Sequence, residues 1–231
     1  MGGFGHNWKR VVRVVRGAGF AVAGVAAGAN SGCTFIGGAM ESYRETSTRS
    51  IEAEYLGLEG KTFAVVVTAE RSIQADHPSL VDYLTGQMTT RLAASNNLPR
   101  AGGFVPAGQV LKYIYSNPGW TAKPYSDVAK DLGGVERLVV IEVVEFRLHD
   151  PGNQYLWEGL AGGTISVIET DSVLADDVSF QKAVTVDFPD KQGFGPNELT
   201  GMTVRTELAR RMLDRASWLF FTHEEPYYPE Y

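Results

Sequence analysis

Apolar residues along this chain fall into runs and stripes whose period changes from segment to segment, and the changes mark the elements. Phe63-Ala64-Val65-Val66-Val67 is a continuous β-branched run, the pattern of a strand buried on both faces. After Pro78, Leu80, Leu84, Met88 and Leu92 recur every fourth residue with Val81 beside them. That spacing predicts a helix with one apolar stripe, ended by Asn96-Asn97 and Pro99. A short strand is expected around Phe104-Val105. Helices follow over about 106–115 and 124–132, the second closed by Gly133-Gly134. Residues 138–146 are the strongest strand, and Asp150-Pro151-Gly152-Asn153 is a turn. The returning strand, 155–169, is interrupted by Gly159, Gly162 and Gly163, which points to a bulge or kink. Phe180, Lys182, Val184, Val186 and Phe188 alternate with Gln181, Ala183, Thr185 and Asp187, giving a third antiparallel strand. A helix over about 198–221 would bury Met202, Ala209, Met212, Leu213, Ala216 and Leu219, with Glu207 and Arg211 at i,i+4 on its other side. The order β-α-β-α-α-β-β-β-α predicts a single α/β (α+β) sandwich, a mixed, largely antiparallel sheet with packed helices.

The start of the chain follows a different logic. Lys9, Arg10, Arg13 and Arg16 precede a small, apolar run over 17–29, then Asn30-Ser31-Gly32-Cys33. This is the order of a charged region, a short apolar region and a small-residue cleavage site. The apolar run is shorter than the ~20 residues a membrane-spanning helix needs. Ser31, Gly32 and Cys33 resemble the lipobox of bacterial lipoproteins, although Asn30 stands where that pattern has Leu. The resemblance implies lipid attachment at Cys33, the only cysteine of the chain, and Thr34 after it implies sorting to the outer membrane. The alternatives are ordinary cleavage after Ala27-Gly28-Ala29 with plain secretion, and an uncleaved anchor or no export. A lone cysteine has no internal disulfide partner, so export calls for another use of it. Residues 1–32 are thus read as a signal peptide, 33–60 as a polar tether spanning about 25–30 Å when relaxed, 61–222 as the α/β domain and 223–231 as an aromatic and proline-rich tail. An edge strand around 50–56 is the competing reading of the tether.

Composition narrows the partners. The chain has 231 residues and a formal net charge of −6. Removal of the first 32 residues leaves 17 cations against 27 acids, a net charge of −10. Such a chain lacks the basic footprint of nucleic-acid binding and has no polybasic attraction to anionic lipid.

The chemistry-bearing motifs are weak. Gly60-Lys61-Thr62 echoes the end of a phosphate-binding loop, but Tyr55 occupies the place of its first glycine, and Lys61 opens a strand rather than a helix. His77, His149 and His223 show no zinc-ligand spacing, and no cofactor or metal is expected. Asp171, Asp176 and Asp177 form an acidic loop expected to be solvated. No Gly-x-Ser-x-Gly elbow occurs. Glu142 and Glu145, three apart in a strand, are expected on opposite faces, one in solvent and one paired with a cation such as Arg147. The aromatic residues Tyr113, Tyr115, Trp120 and Tyr125, and Tyr227 and Tyr228 in the tail, are candidates for a partner surface, against the competing reading as core.

Residues 61–221 resemble the small α/β domain of bacterial envelope lipoproteins related to CsgG, LpoB and the N-terminal domain of TolB. The likeness lies in the strand 61–67, the helix over 80–92, and Asp127-Val128-Ala129-Lys130-Asp131-Leu132-Gly133-Gly134 leading into Leu138-Val139-Val140-Ile141. It implies a binding or assembly role at the periplasmic face of an envelope and brings no catalytic signature. The expectation is a lipid-anchored, periplasm-facing, non-enzymatic protein that binds an envelope protein or self-associates. The alternatives are an exported small-ligand binder or enzyme with a pocket near Trp120 or His149, and an oligomeric secretion-pore subunit.

Overall fold

In the computed structural model, which describes residues 48–94 and 100–226, the run from Phe63 lies at the heart of a five-stranded sheet. The elements in chain order are β1 (Thr48–Ile51), β2 (Thr62–Ala69), α1 (Arg71–Asp76), α2 (Leu80–Ala93), β3 (Gly103–Phe104), α3 (Ala107–Ser116), a 3-10 turn (Trp120–Ala122), α4 (Tyr125–Asp131), β4 (Arg137–Arg147), β5 (Gly159–Glu169), β6 (Val178–Phe188), α5 (Gly201–Trp218) and β7 (His223–Pro226). The sheet order is β3-β2-β4-β5-β6. Pairs β2–β3 and β2–β4 are parallel, and pairs β4–β5 and β5–β6 are antiparallel. This is the α+β sandwich the pattern predicts, with β1, α1 and β7 added to the expected order.

Alternation in β2 and β4 sends side chains to two cores. Phe63, Val65, Val67, Val139, Ile141 and Val143 enter a large cluster beneath α2 and α5. Ala64, Val66, Leu138 and Val140 enter a smaller one with Val110, Trp120, Val128 and Leu132. Each fully buried Phe, Leu or Met here contributes about 1.5–3 kcal/mol. The α2 stripe is as expected, with Leu80, Leu84, Met88 and Leu92 all buried. Thr85 and Thr89 are buried beside it and stay satisfied by donating to the Val81 and Thr85 carbonyls at 2.8 and 2.7 Å. Helix α5 begins at Thr200, whose hydroxyl accepts from the Thr203 amide at 3.2 Å. Gly159 and Gly163 let α5 settle onto β5, because a Cβ there would lie 2.7 Å from Leu208 and 2.8 Å from Met212.

Several local expectations change. The folded unit begins before Lys61: β1 pairs with β7, Tyr55 and Leu58 are buried, and the Tyr55 amide donates to the Leu219 carbonyl at 2.9 Å. Residues 48–60 of the expected tether are therefore docked on the domain. Likewise the expected tail starts as a strand, His223–Pro226. Their polar composition hid both strands.

The hairpin bulge falls on β4, where Val143 pairs with Gly163 and Glu145 with Gly162, leaving Val144 as the extra residue. The extra residue reverses the alternation. Val143 and Phe146 then share the large core, which leaves Glu142 and Glu145 on the same, opposite face rather than on two faces. Arg147 does take Glu145, at 2.8 Å.

The acidic loop is not merely solvated. The Asp176 carboxylate accepts from the Ser126 amide in the first turn of α4 at 2.7 Å, and Asp171 binds Lys61 and Arg137. These contacts hold both carboxyls below the usual aspartate range, the Ser126 amide acting chiefly on Asp176 and Lys61 on Asp171. Lys61 lies between Glu136 at 2.9 Å and Asp171 at 2.7 Å. The Gly60-Lys61-Thr62 motif is thus a turn, with Gly60 at φ +66, feeding a strand.

Candidate functional site

The residues singled out in the sequence do not converge. Cys33, Tyr227 and Tyr228 lie outside the described residues. Trp120 is 5% exposed and belongs to the smaller core, with Tyr113 and Tyr125 packed partly against it. The Tyr113 hydroxyl donates to Asp131 at 3.1 Å, and Lys123 lies over its ring, 5.6 Å from the centroid. Tyr115 is exposed and reaches from α3 to the Asp82 carboxylate of α2. These four are thus a core residue, two residues at its margin and one surface residue.

Trp120 and His149 do not share a pocket, and an open hollow of about 340 Å³ lies beside His149, lined also by His77, Arg147 and Asp150. The His149 ring stacks on Trp157 at 4.3 Å, and its Nδ1 donates to the Leu156 carbonyl at 2.7 Å. Trp157 belongs to the large core and Trp120 to the small one, so the sheet separates them. Among the described residues no group of three or more His, Cys, Asp or Glu could hold a metal ion. No described helix is long and apolar enough to cross a membrane.

The most developed convergence of charged and aromatic groups lies instead where the β1–β7 ribbon meets the outer strand β6. Antiparallel pairing sets Thr48 opposite Pro226 and Ile51 opposite His223. The ribbon is pinned to the end of α5 by Glu225, whose side chain is 5% exposed. Arg215 of α5 donates to its carboxylate at 2.7 Å, Arg49 of β1 approaches at 3.5 Å, and His223 Nε2 lies 3.4 Å away. The Trp218 and His223 rings stack nearly parallel at 4.6 Å, and the Arg215 guanidinium sits 5.5 Å from the Trp218 centroid. A buried carboxylate with two arginines and a stacked indole is a rigid arrangement.

Between this ribbon and β6 runs a groove of about 340 Å³. Trp218, Leu219 and Val184 give it apolar surface, and Arg49, Glu52 and Glu54 line the ribbon side. Its other wall is four consecutive residues of β6, Lys182 to Thr185. Consecutive residues of a strand point alternately to its two faces. A surface that touches all four therefore includes the strand edge itself. β6 is the terminal strand, paired only with β5 among the described residues, so its outer amides and carbonyls have no strand beside them. Lys182 Nζ meets the Glu54 carboxylate at 2.9 and 3.0 Å, joining the two walls.

No family model matches the chain, and no curated protein matches it. Solved structures do resemble it. The PelC dodecamer from Paraburkholderia phytofirmans aligns with a TM-score of 0.40 at 15% identity, over 75% of this chain and 96% of that one. Lipoprotein GNA1162 from Neisseria meningitidis aligns with a TM-score of 0.43 at 9% identity, over 68% and 98%. A Xanthomonas campestris protein of family DUF330 gives 0.39 at 10% identity, over 73% and 86%. With scores below 0.5, these likenesses leave the family unassigned, and function is read from the chain's own residues.

The groove was hard to find in sequence. His223 reads there only as a histidine without zinc-ligand spacing, and β6 is recognisable as a strand but not as the last one. The one usable signal was the alternation of β6, which places a long strand after the hairpin without saying what covers its far side.

Proposed function

We propose that this chain is a lipid-anchored, non-enzymatic protein of the bacterial cell envelope, attached through Cys33 at the outer membrane. Its α+β domain faces the periplasm and binds an envelope protein or a second copy. The observation that carries the binding role is the outer edge of β6 opening into a walled groove. Backbone groups on a fixed sheet edge recognise another chain rather than carry out chemistry. The anchor rests on the order of charged region, apolar region and Ser31-Gly32-Cys33.

Two measurements test this reading. Mass spectrometry of the mature N-terminus should find an acylated Cys33, and Cys33→Ser should release the protein from membranes; an unmodified N-terminus at another residue overturns the anchor. Crosslinking in intact envelopes should recover the chain joined to a partner or to itself. Recovery of the monomer alone, across several linker lengths, overturns the binding role.

A further inference from the structure

We infer that the groove is a slot for one extended peptide segment, which adds to β6 as a sixth strand beside Lys182–Thr185. This inference rests on the binding role proposed above and names its ligand class.

Shape favours a single strand. One wall is the β6 edge and the other is the ribbon-side segment bearing Arg49, Ile51, Glu52 and Glu54. A neighbouring strand lies about 4.8 Å from its partner, and about four residues at 3.3 Å each would match the four β6 residues that line the groove. A second copy fits less well. Antiparallel two-fold pairing of β6 with β6 keeps equivalent faces on the same side of the seam, so both ribbons would crowd the strip that one ribbon already borders.

The edge is also lightly guarded along residues 182–185. Natural edge strands are protected by shortness, prolines, bulges or inward charges. The opposite edge of this sheet, β3, is two residues long. β6 has eleven residues and no proline, its bulge at Ser179 lies outside residues 182–185, and its one cation, Lys182, is paired with Glu54.

Side-chain chemistry sets the preferred sequence. Trp218, over the nearly buried Leu219 and Val184, offers apolar surface to one side of the incoming strand, which selects an apolar residue there. Arg49 lines the groove, is half exposed, and meets Glu225 at 3.5 Å while Arg215 holds that carboxylate at 2.7 Å. A carboxylate on the incoming peptide therefore finds a cation whose existing pairing is loose. The predicted ligand alternates apolar and polar residues and carries an Asp or Glu. Its entry competes with the Lys182–Glu54 pair, which is about half exposed on both sides and so holds the walls together by at most ~1 kcal/mol.

The test is selection of a random linear heptapeptide library, displayed on phage, against the full chain. Enriched sequences should alternate and contain an acid. Synthetic copies should protect the alternate amides within residues 182–185 that face away from β5 from hydrogen exchange. N-methylation of two alternate peptide amides should weaken binding about tenfold or more, since each lost backbone hydrogen bond is worth ~0.5–1.5 kcal/mol. Arg49→Ser should lower affinity and relax the demand for an acid. Glu54→Ala, which opens the walls, should instead raise affinity by up to about fivefold. No enrichment, or enriched peptides indifferent to N-methylation and to both variants, overturns the slot. So does concentration-dependent dimerisation that protects residues 182–185 without peptide, which would make the occupant a second copy. If peptides fail while envelope crosslinking still finds a partner, the slot falls and the binding role stands.

Discussion

Replacing Arg211 by Met tests how the segment after β6 is held to α5. Arg211 projects from α5 with its side chain 5% exposed. Its two terminal nitrogens grip the Asp190 carboxylate at 2.5 and 2.7 Å, one of them also donates to the Asp187 carbonyl at 2.9 Å, and Nε meets Glu207 at 3.2 Å. The guanidinium lies 4.8 Å from the Phe188 ring centroid. Met keeps most of the stem and removes every donor. Breaking a fully buried pair by deleting one member costs about 3–5 kcal/mol. Asp190 is 28% exposed and can turn to water, which lowers that figure. The lost donation to Asp187 adds about 1 kcal/mol. We expect a total of about 2–4 kcal/mol in urea unfolding of the full chain followed by tryptophan fluorescence. Asp190→Asn should cost less, and the double variant should fall short of additivity by about 1.5 kcal/mol or more.

The same pair has a pH signature. Hydrogen bonding from Arg211 holds the Asp190 carboxyl below the usual aspartate range, and Arg210, then Arg211, does so for Glu207. Groups depressed in the folded state bind more protons when unfolded, so their stabilisation is complete above the unfolded values near ~4. It is lost as pH falls through the folded values. The deficit of Arg211→Met should thus hold steady from neutral pH to about 5 and shrink below about 4. A deficit under ~0.5 kcal/mol, strict additivity with Asp190→Asn, or a deficit that grows in acid would refute the account.

Other expectations are simpler. Gly163→Ala places a Cβ 2.6 Å from the Glu142 carbonyl oxygen and should cost more than ~2 kcal/mol or abolish folding, whereas Gly162→Ala, with 3.6 Å of clearance, should stay within ~1 kcal/mol; thermal melts of the two compare them directly. Trp120→Ala should destabilise by about 3–5 kcal/mol and Tyr115→Ala by less than ~1 kcal/mol, and equal losses would contradict the separation of core from surface. Burial, with Arg205 assisting, pushes His77 below the ordinary histidine range, and its Nδ1 has no hydrogen-bond partner among the described residues. A histidine kept neutral in the fold binds more protons when unfolded, so stability should fall as pH drops below about 6.5. His77→Phe should flatten that slope between pH 7 and 5.5, as chemical unfolding at each pH would show.

Elements with strong periodicity were legible because burial dictates their sequence. Phe63 to Val67 meets apolar atoms on both faces, and the Leu80, Leu84, Met88, Leu92 stripe rests on the large core. β1 and β7 were not legible, since Thr48-Arg49-Ser50-Ile51 and His223-Glu224-Glu225-Pro226 pair through backbone and charge and have no apolar alternation. Glu142 and Glu145 were misplaced because one inserted residue, Val144, breaks the period-two rule, and only the partner strand reveals which residue is extra. Trp120 could be read as surface or core from composition alone; the burial of Val110, Val128 and Leu132 around it decides for core. The groove depends on which strand ends the sheet, and that is a property of topology rather than of any local motif.

The rung joining Thr48 to Pro226 means that the two ends of the domain leave it side by side. Paired strand positions lie about 4.5–5.5 Å apart, so the domain is a ring that lacks one hairpin turn. A short Asn-Gly or Asp-Gly linker from Pro226 to Thr48 would close it, and the chain could then be reopened elsewhere. Whatever pulls on the segment before Thr48 therefore acts on the same rung as the end of β7, and shortening the chain into His223–Pro226 would strip β1 of its partner.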